Sequence, residues 1–175
     1  LMGEAHFLKP RAGTGSQGAR KVTTTEMERL LPSLGSDWIV QEICGGQEVT
    51  VDAFHDPLNH FFRAVARDRL EVKSGVSTKC RVREDGELEA LAHQLATKLE
   101  VAGAFCFQVL GEPGHWRIID VNSRPGAGTA ISAACGNDFS AALIARWLRS
   151  DYTALFQRLA VPAIVTRQYT EFRMN

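Results

Sequence analysis

The sequence predicts an α+β protein built around one or two antiparallel sheets. Four runs rich in β-branched and aromatic residues follow one another between positions 38 and 82. A leucine stripe at helical spacing comes next, and a second pair of strand-like runs follows it. Strands that succeed one another in this way favour an antiparallel meander, and the helical stripe supplies a cover for it.

The beginning of the chain combines one strand, one loop and one helix. Residues 5 to 9 have the composition of a short strand, and residues 11 to 18 are too rich in Gly, Ser and Thr to be anything but a loop. Thr25 and Glu28 have the spacing of a capping box. This pair predicts a helix that begins at Thr25 and ends at about Leu34.

The four strands of the expected meander cover residues 38 to 43, 47 to 54, 61 to 72 and 76 to 82. Cys44-Gly45-Gly46 separates the first two, which predicts a tight connection between them. We therefore expect all four strands to lie in one sheet.

The second half begins with the clearest helix, starting at Asp85, whose buried face is formed by Leu88, Leu91, Ala92, Leu95 and Leu99. Residues 104 to 110 and 116 to 121 flank Gly111-Glu112-Pro113-Gly114, a sequence typical of a hairpin turn. Two helices, at 129 to 135 and 138 to 149, and a last strand at 163 to 172 complete the pattern.

Composition excludes several classes of function. The 20 basic and 20 acidic side chains balance, so nucleic acid is not an expected partner. The four cysteines contain no C-x-x-C pair, which argues against a zinc site and a disulfide framework and favours reduced cytoplasmic thiols. No apolar run approaches the roughly 20 residues that span a bilayer, so no membrane partner is expected. Leu1 precedes Met2, and we expect the chain to be a fragment that lacks an N-terminal part.

The loop from Gly13 to Gly18 has the spacing G-x-G-x-x-G, which two familiar phosphate-binding motifs share only in part. A dinucleotide-binding motif would continue into an apolar helix, and a P-loop would continue with Lys and Ser or Thr; here Ala19 and Arg20 follow. A third interpretation is a flexible loop between antiparallel strands, whose backbone N–H groups and a preceding Lys9 contact phosphates. A solvated surface hairpin is the remaining alternative. The residues predicted to bind are Lys9, Gly13, Gly15, Ser16 and Gly18.

The segment from Gln41 to Glu48 has the features of an adenosine site. Adenine needs an apolar slot with a backbone donor and acceptor, and ribose hydroxyls need a carboxylate acceptor. Gln41, Glu42, Ile43 and Cys44 could supply the first and Glu48 the second. Exposed strand carboxylates are the alternative interpretation of Glu42 and Glu48.

The predicted hairpin gathers three oxygen donors on one face. Phe105, Phe107 and Val109 alternate on the first strand, and Ile119 and Val121 alternate on the second, so these apolar side chains should share a face. With a five-residue turn, Phe107 falls opposite Ile119. The opposite face then carries Gln108, Asp120 and Asn122, hard ligands suited to Mg²⁺. Arg124 follows closely enough to neutralise phosphate charge, and the glycines at 126 and 128 would let backbone approach an anion.

Two other groups of residues need an interpretation. The five histidines show no metal-ligand spacing, so no histidine catalysis is proposed. A basic run alternates along the expected third strand and includes Arg63, Arg67, Arg69 and Lys73. It fits a solvated face, or alternatively it faces a cleft and binds an acidic substrate or an acyl phosphate, with Arg67 and Lys73 as the candidate site residues.

Taken in order, these motifs resemble those of the ATP-grasp superfamily, most closely its carbamoyl phosphate synthase large-subunit-like branch and related carboxylate-amine ligases. The matching stretches are K-P-R-A-G-T-G-S-Q-G, Q-E-I-C-G-G-Q-E-V-T-V-D, F-Q and I-I-D-V-N-S-R-P-G-A-G-T. Asp120 departs from the family pattern, which more often has Glu as the metal carboxylate.

The resemblance implies two α+β lobes whose antiparallel sheets clasp the nucleotide, with residues 1–54 as the nucleotide-binding lobe and 55–175 as the metal- and substrate-binding lobe. It implies ATP with Mg²⁺ or Mn²⁺ as cofactors, Gln41 to Cys44 as the adenine hinge and Arg124 as the catalytic arginine. The expected reaction activates a small carboxylate as an acyl phosphate for attack by an amine. A nucleotide-binding module without ligase activity, or a phosphotransferase or carboxylase, stays open, as does a homodimer or a partner chain that supplies the missing N-terminal domain.

Overall fold

Two antiparallel sheets organise the chain, one in each of the two units into which it divides after Gly45. The computed structural model describes residues 5–12, 17–73 and 75–168. The first sheet has three strands and the second has six, and the predicted α+β class with antiparallel sheets is confirmed. The boundary expected after Phe54 falls inside a strand, Gln47–Asp56, that belongs entirely to the six-stranded sheet.

The first unit consists of three strands and one short helix. Its elements are β1 (Ala5–Pro10), β2 (Arg20–Thr23), α1 (Thr24–Leu30) and β3 (Trp38–Glu42), with β1 in the centre of the sheet. A small core forms where Met27 of α1 packs against Leu8 and Val22. This core covers one face of the sheet.

The cap of α1 lies two residues earlier than the sequence predicted. The threonine side chain at position 23 accepts from the backbone N–H of Glu26, and the Glu26 carboxylate accepts from the backbone N–H of Thr23 at 2.8 Å. Positions 23 to 25 are all threonine, so spacing alone offers two capping boxes. The extended backbone of Thr23 at the end of β2 decides for the first. The helix ends at Leu30 and gives way to a 3₁₀ turn, Leu31–Ser33.

The second unit is built on the six-stranded sheet in the order β8-β7-β4-β5-β6-β9. Its strands are β4 (Gln47–Asp56), β5 (Phe61–Lys73), β6 (Val76–Arg83), β7 (Gly103–Gly111), β8 (Arg117–Asn122) and β9 (Ala163–Thr166). The predicted meander holds for β4, β5 and β6, but the inclusion of β3 is wrong. Strand β7 pairs with the edge of β4 that β3 would have needed.

Helices cover the two faces of this sheet differently. They are α2 (Gly86–Lys98), α3 (Thr129–Ala133) and α4 (Phe139–Trp147). On one face, Leu88, Leu91 and Leu95 of α2 pack against a core that includes Val51 and Phe107. Leu99, which was expected on the same buried face, is the C-cap residue and is 55% exposed. On the other face, α3 and α4 cover Phe54, Val65 and Val82. None of the described helices is long and apolar enough to cross a membrane.

A buried carboxylate, Asp56, connects the end of β4 to the chain that follows α4. It accepts from the Tyr152 hydroxyl at 2.7 Å and from the Asn59 amide at 2.8 Å, and Arg146 lies 3.3 Å away. Burial alone would raise the pKa of Asp56, but these hydrogen bonds and the arginine lower it to about 2. The ionised carboxylate therefore stabilises the fold above its unfolded-state pKa, and this stabilisation is lost as the pH falls through about 2.

Tyr152→Phe should lower the free energy of unfolding by about 1 to 2 kcal/mol at pH 7, because a hydrogen bond to a charged group is lost. The difference from the unmodified chain should shrink as the pH falls from 5 toward 2, since Asp56 becomes protonated in both proteins. Urea unfolding at several pH values measures both quantities. A difference that stays constant down to pH 2 would contradict this assignment.

Candidate functional site

The hairpin of β7 and β8 has a register two residues away from the predicted one. Phe107 lies opposite Val121 rather than Ile119, and Gln108 lies opposite Asp120. The register shifts after Gln108, which leaves Ile119 as the extra residue of a β-bulge. Because a slip of two residues preserves the face, Gln108 and Asp120 still share a side of the sheet. On the other side Phe107 is fully buried, whereas Val121 on the edge strand is 39% exposed.

A row of polar side chains crosses four strands on this face. Asp120, Gln108, Thr50 and Arg67 are successive cross-strand neighbours on β8, β7, β4 and β5. Such neighbours have Cβ atoms about 5 Å apart. Exposure decreases along the row, from exposed Asp120 through half-buried Gln108 to buried Thr50 and Arg67. The open part of the face is therefore polar and belongs to a single unit of the chain.

A second row on the same face contains Asn122, Cys106 and Asp52. The Asn122 side-chain amide donates to Oδ2 of Asp120 at 2.7 Å. The three predicted metal ligands are thus on one face, with one carboxylate and two amide groups between them. Among the described residues no three His, Cys, Asp or Glu side chains converge. This donor set fits Mg²⁺, which usually takes one or two protein carboxylates and completes its shell with phosphate and water.

The buried end of the first row is an ion pair between Arg67 and Asp52. Arg67 Nε donates to Oδ2 of Asp52 at 2.7 Å and Nη2 donates to Oδ1 at 3.0 Å. The Ser132 hydroxyl of α3 donates to the same carboxylate at 2.6 Å. Arg67 is only 2% exposed, so neither sequence interpretation, a solvated residue or a free ligand for substrate, describes it. Lys73 is exposed near the end of β5.

The turn from Gly126 to Gly128 packs directly against two residues of these rows, Cys106 and Arg67. A Cβ atom on Gly126 would be 2.9 Å from Sγ of Cys106, and one on Gly128 would be 2.3 Å from a guanidinium nitrogen of Arg67. Neither glycine can be replaced without moving a buried side chain. Burial, together with the charge of Asp52, raises the pKa of the Cys106 thiol to about 11, so this thiol is neutral at pH 7.

Two arginines border the same turn. Arg124 is exposed and donates to the carbonyl of Pro125 at 3.0 Å. Arg167, which follows β9, donates to the carbonyl of Ala127. In the described part of the chain no carboxylate lies within ion-pair distance of either guanidinium. The sequence had singled out Arg124 but not Arg167.

Glu48 lies on the same face as the polar rows, near the start of β4. It forms an ion pair with Arg69, its neighbour on β5, and the Glu48 side chain is 37% exposed while that of Arg69 is 7% exposed. Sequence analysis grouped Arg69 with a solvated basic run and missed this contact. Glu48 lies directly opposite Arg69, and Asp52 is the diagonal neighbour of Arg67, so acidic residues on one strand and basic residues on the next are the signal that could have revealed it.

The remaining predicted residues belong to the first unit. Lys9 on β1 and Gln41 on β3 share the face opposite the Leu8 core, because Phe7 pairs with Gln41 and Lys9 with Ile39. Beyond them, Glu42 ends β3 and Cys44 Sγ lies 3.9 Å from its carboxylate, while Ile43 is 36% exposed. Gly18 has a positive φ of 76°. Gly13, Gly15 and Ser16 lie outside the described residues.

A cavity of about 260 Å³ lies between α2 and the turn that joins β7 to β8, and Glu87, Leu91 and Trp116 line it. It contains none of the predicted site residues.

Comparison with known proteins now decides the family. A family model described as ATP-grasp in the biosynthetic pathway with Ter operon matches residues 35–167. The chain belongs to this ATP-grasp family. The match spans β3 to β9 and includes both polar rows. No curated protein matches the chain in sequence.

Solved structures share this ATP-grasp fold. N5-carboxyaminoimidazole synthetase from Staphylococcus aureus, complexed with ADP, has a TM-score of 0.71 at 15% identity over 95% of this chain and 47% of that one. Biotin carboxylase from Campylobacter jejuni has a TM-score of 0.59 at 15% identity over 91% of this chain and 39% of that one. Pyruvate carboxylase from Rhizobium etli has a TM-score of 0.64 at 18% identity over 81% of this chain and 14% of that one. The chain spans less than half the length of each, and at these identities the likeness shows the fold alone.

Gly128→Ala should lower the free energy of unfolding by about 1 to 3 kcal/mol, because its methyl group would displace the buried Arg67 guanidinium. Gly86→Ala is the matched control, since a Cβ atom there meets nothing within 4 Å. Urea denaturation compares the two variants. Equal stability of both would mean that the turn does not press on the ion pair.

Proposed function

We propose that this ATP-grasp chain binds magnesium-bound ATP on the polar face of its six-stranded sheet and serves a ligase that activates a carboxylate. The observation that carries the proposal is the row from Asp120 through Gln108 to Thr50, with Asn122 beside it. Oxygen ligands for a hard cation thus share one face of the sheet, and Asp120 is the most exposed of them. Family membership makes ATP the expected nucleotide.

The spacing of the polar residues fits a nucleotide with its phosphates at the β7–β8 side. Gln108 lies opposite Thr50 on the adjacent strand, and Glu48 is two residues from Thr50 along β4. This offset places Gln108 and Glu48 about 8 Å apart. Glu48 would accept a hydrogen bond from a ribose hydroxyl, and Asp120, Gln108 and Asn122 would hold Mg²⁺ against the phosphates. Thr50 lies between Glu48 and Gln108 on the same face.

The proposed reaction has two steps. A carboxylate oxygen of the substrate attacks the γ-phosphorus, the bond to the β,γ-bridging oxygen breaks, and ADP leaves. The nitrogen of an amine then attacks the acyl carbon, and inorganic phosphate leaves with the former carboxylate oxygen. Arg124, exposed beside the metal donors and without a carboxylate partner among the described residues, would stabilise charge on the transferring phosphoryl group. Bound Mg²⁺ would neutralise phosphate charge.

The first unit would contribute the remaining contacts. Lys9 would bind phosphate oxygens, and Gln41 to Cys44 would contact adenine. The loop from Gly13 to Gly18 would close over the phosphates. These roles rest on the sequence motifs and on the common face of Lys9 and Gln41. Location in the cytoplasm, homodimer formation and Mn²⁺ as a substitute metal also stay predictions from the sequence.

Asp120→Asn should weaken binding of Mg-ADP at least about tenfold, because the only carboxylate of the metal-donor set loses its charge without loss of volume. Binding of ADP in EDTA should change little. Isothermal titration calorimetry measures both affinities, and Glu112→Gln, an exposed carboxylate in the adjacent turn, is the control. Unchanged Mg-ADP affinity in Asp120→Asn would refute this metal site.

If a carboxylate is activated, ATP plus the correct acid and hydroxylamine should yield a hydroxamate, one ADP and one phosphate per turnover. With the acid labelled by ¹⁸O in its carboxyl group, one label should appear in the released phosphate. A stable phosphorylated product without hydroxamate would instead identify a phosphotransferase. Nucleotide binding without turnover of any tested acid would favour a binding module.

A further inference from the structure

The ion pair between Glu48 and Arg69 connects three parts of the second unit. A terminal guanidinium nitrogen of Arg69 donates to Oε1 of Glu48 on β4, and the other donates to the carbonyl of Gly75 at 2.9 Å, beyond the end of β5. The guanidinium therefore joins the Glu48 side chain to the backbone between β5 and β6 and has little freedom to turn. Glu48 keeps its second carboxylate oxygen, Oε2, clear of the contacts made by Arg69.

Local backbone irregularities fix both ends of this bridge. Gly46, with φ of 110°, approaches Gly111 so closely that a Cβ atom would lie 2.5 Å from its carbonyl oxygen. This approach places the start of β4 beside the end of β7. On β5, the pairing with β6 shifts between Arg69 and Glu71, so Leu70 is an extra residue in the strand. Bulges of this kind re-aim neighbouring side chains and are common beside binding sites.

The arginine is held in place although one of its polar atoms is unsatisfied. Its side chain is 7% exposed, and Nε is buried without a hydrogen-bond partner in the part of the chain that the structure describes. An unsatisfied buried donor is unfavourable, so the contacts with Glu48 and Gly75 must outweigh it. A guanidinium that only completed the core would not need to reach a partly exposed carboxylate at the edge of the polar face.

We propose that Arg69 is a positioning residue that aims Glu48 at the ribose and thereby makes the site discriminate ribonucleotides from deoxyribonucleotides. This inference rests on the proposed function, in which Glu48 accepts from a ribose hydroxyl. Arg69 holds Oε1, and Oε2 faces the ligand. A carboxylate fixed beforehand loses less conformational freedom on binding than a mobile one, so the hydroxyl contributes more to affinity.

The test measures by calorimetry the affinities of the unmodified chain and of Arg69→Gln for three ligands, each with Mg²⁺. These ligands are ADP, 2′-deoxy-ADP and 3′-deoxy-ADP. The unmodified chain should prefer ADP over at least one deoxy analogue by about tenfold, the effect of one hydrogen bond to a charged acceptor. In Arg69→Gln this ratio should fall to about one or two, while the affinity for the deoxy analogue and the requirement for Mg²⁺ stay unchanged. A purely structural role would weaken all three ligands equally.

Two further variants keep the result interpretable. Arg81→Gln is the matched control, since Arg81 lies on the opposite face in a long ion pair of 3.9 Å with Asp68, and it should leave the ratio unchanged. Arg69→Lys should give an intermediate ratio, because an ammonium can reach Glu48 but cannot hold Gly75 in the same geometry. Circular dichroism melting checks folding, and Arg69→Lys serves as the test if Arg69→Gln does not fold.

The possible outcomes separate this inference from the function on which it rests. Absence of Mg-ADP binding by the unmodified chain would overturn the proposed function, and the inference with it. Binding without preference for ribose would leave the nucleotide site standing and overturn the role of Glu48 and Arg69. A preference that survives in both Arg69 variants would overturn the inference alone.

Discussion

The buried ion pair between Asp52 and Arg67 is the interaction on which the polar face of the second unit depends. It joins β4 to β5, takes a hydrogen bond from Ser132 of α3, and supports Gly128 on its guanidinium. Two charges removed from water are tolerated only when each is well hydrogen-bonded, and here the contacts come from two strands and a helix. Loss of one partner would leave an uncompensated charge beneath the turn from Gly126 to Gly128, which Arg124 precedes. The pair therefore fixes the positions of Ser132 and Gly128 relative to β4 and β5.

The six-stranded sheet uses its two faces for different purposes. One face is apolar along its centre and is closed by α2. The other is divided, with an apolar half beneath α3 and α4 and a polar half in which exposure increases from Arg67 toward Asp120. Since strands β4, β5 and β7 contribute to all three regions, the alternation of their side chains places core residues and polar rows with the same register. A one-residue slip in any of these strands would move its polar side chains to the apolar face and its apolar side chains to the polar face.

Sequence reasoning placed Gln108, Asp120 and Asn122, the proposed metal ligands, on one face although it assigned the wrong partner to Phe107. The predicted register differed from the observed one by two residues, and a shift by an even number of residues leaves each side chain on the same face of the sheet. The β-bulge at Ile119 could not be predicted, because it depends on how the turn after Gly111 meets the neighbouring strand. Similarly, the two possible capping boxes around residues 23 to 28 are equivalent in sequence, and only the end of β2 distinguishes them.

The sequence by itself determined the class of the fold, the identity of most strands and helices, and the oxygen-rich character of the hairpin that contains Asp120. These properties follow from local periodicity, which the chain carries in any arrangement. Tertiary structure alone decided that β7 rather than β3 pairs with β4, and that Arg67 and Arg69 are held by Asp52 and Glu48 instead of facing solvent. Alternation along one strand states which side chains share a face. Whether that face meets water, a helix or an opposite charge depends on the neighbouring strands, which only folding brings together.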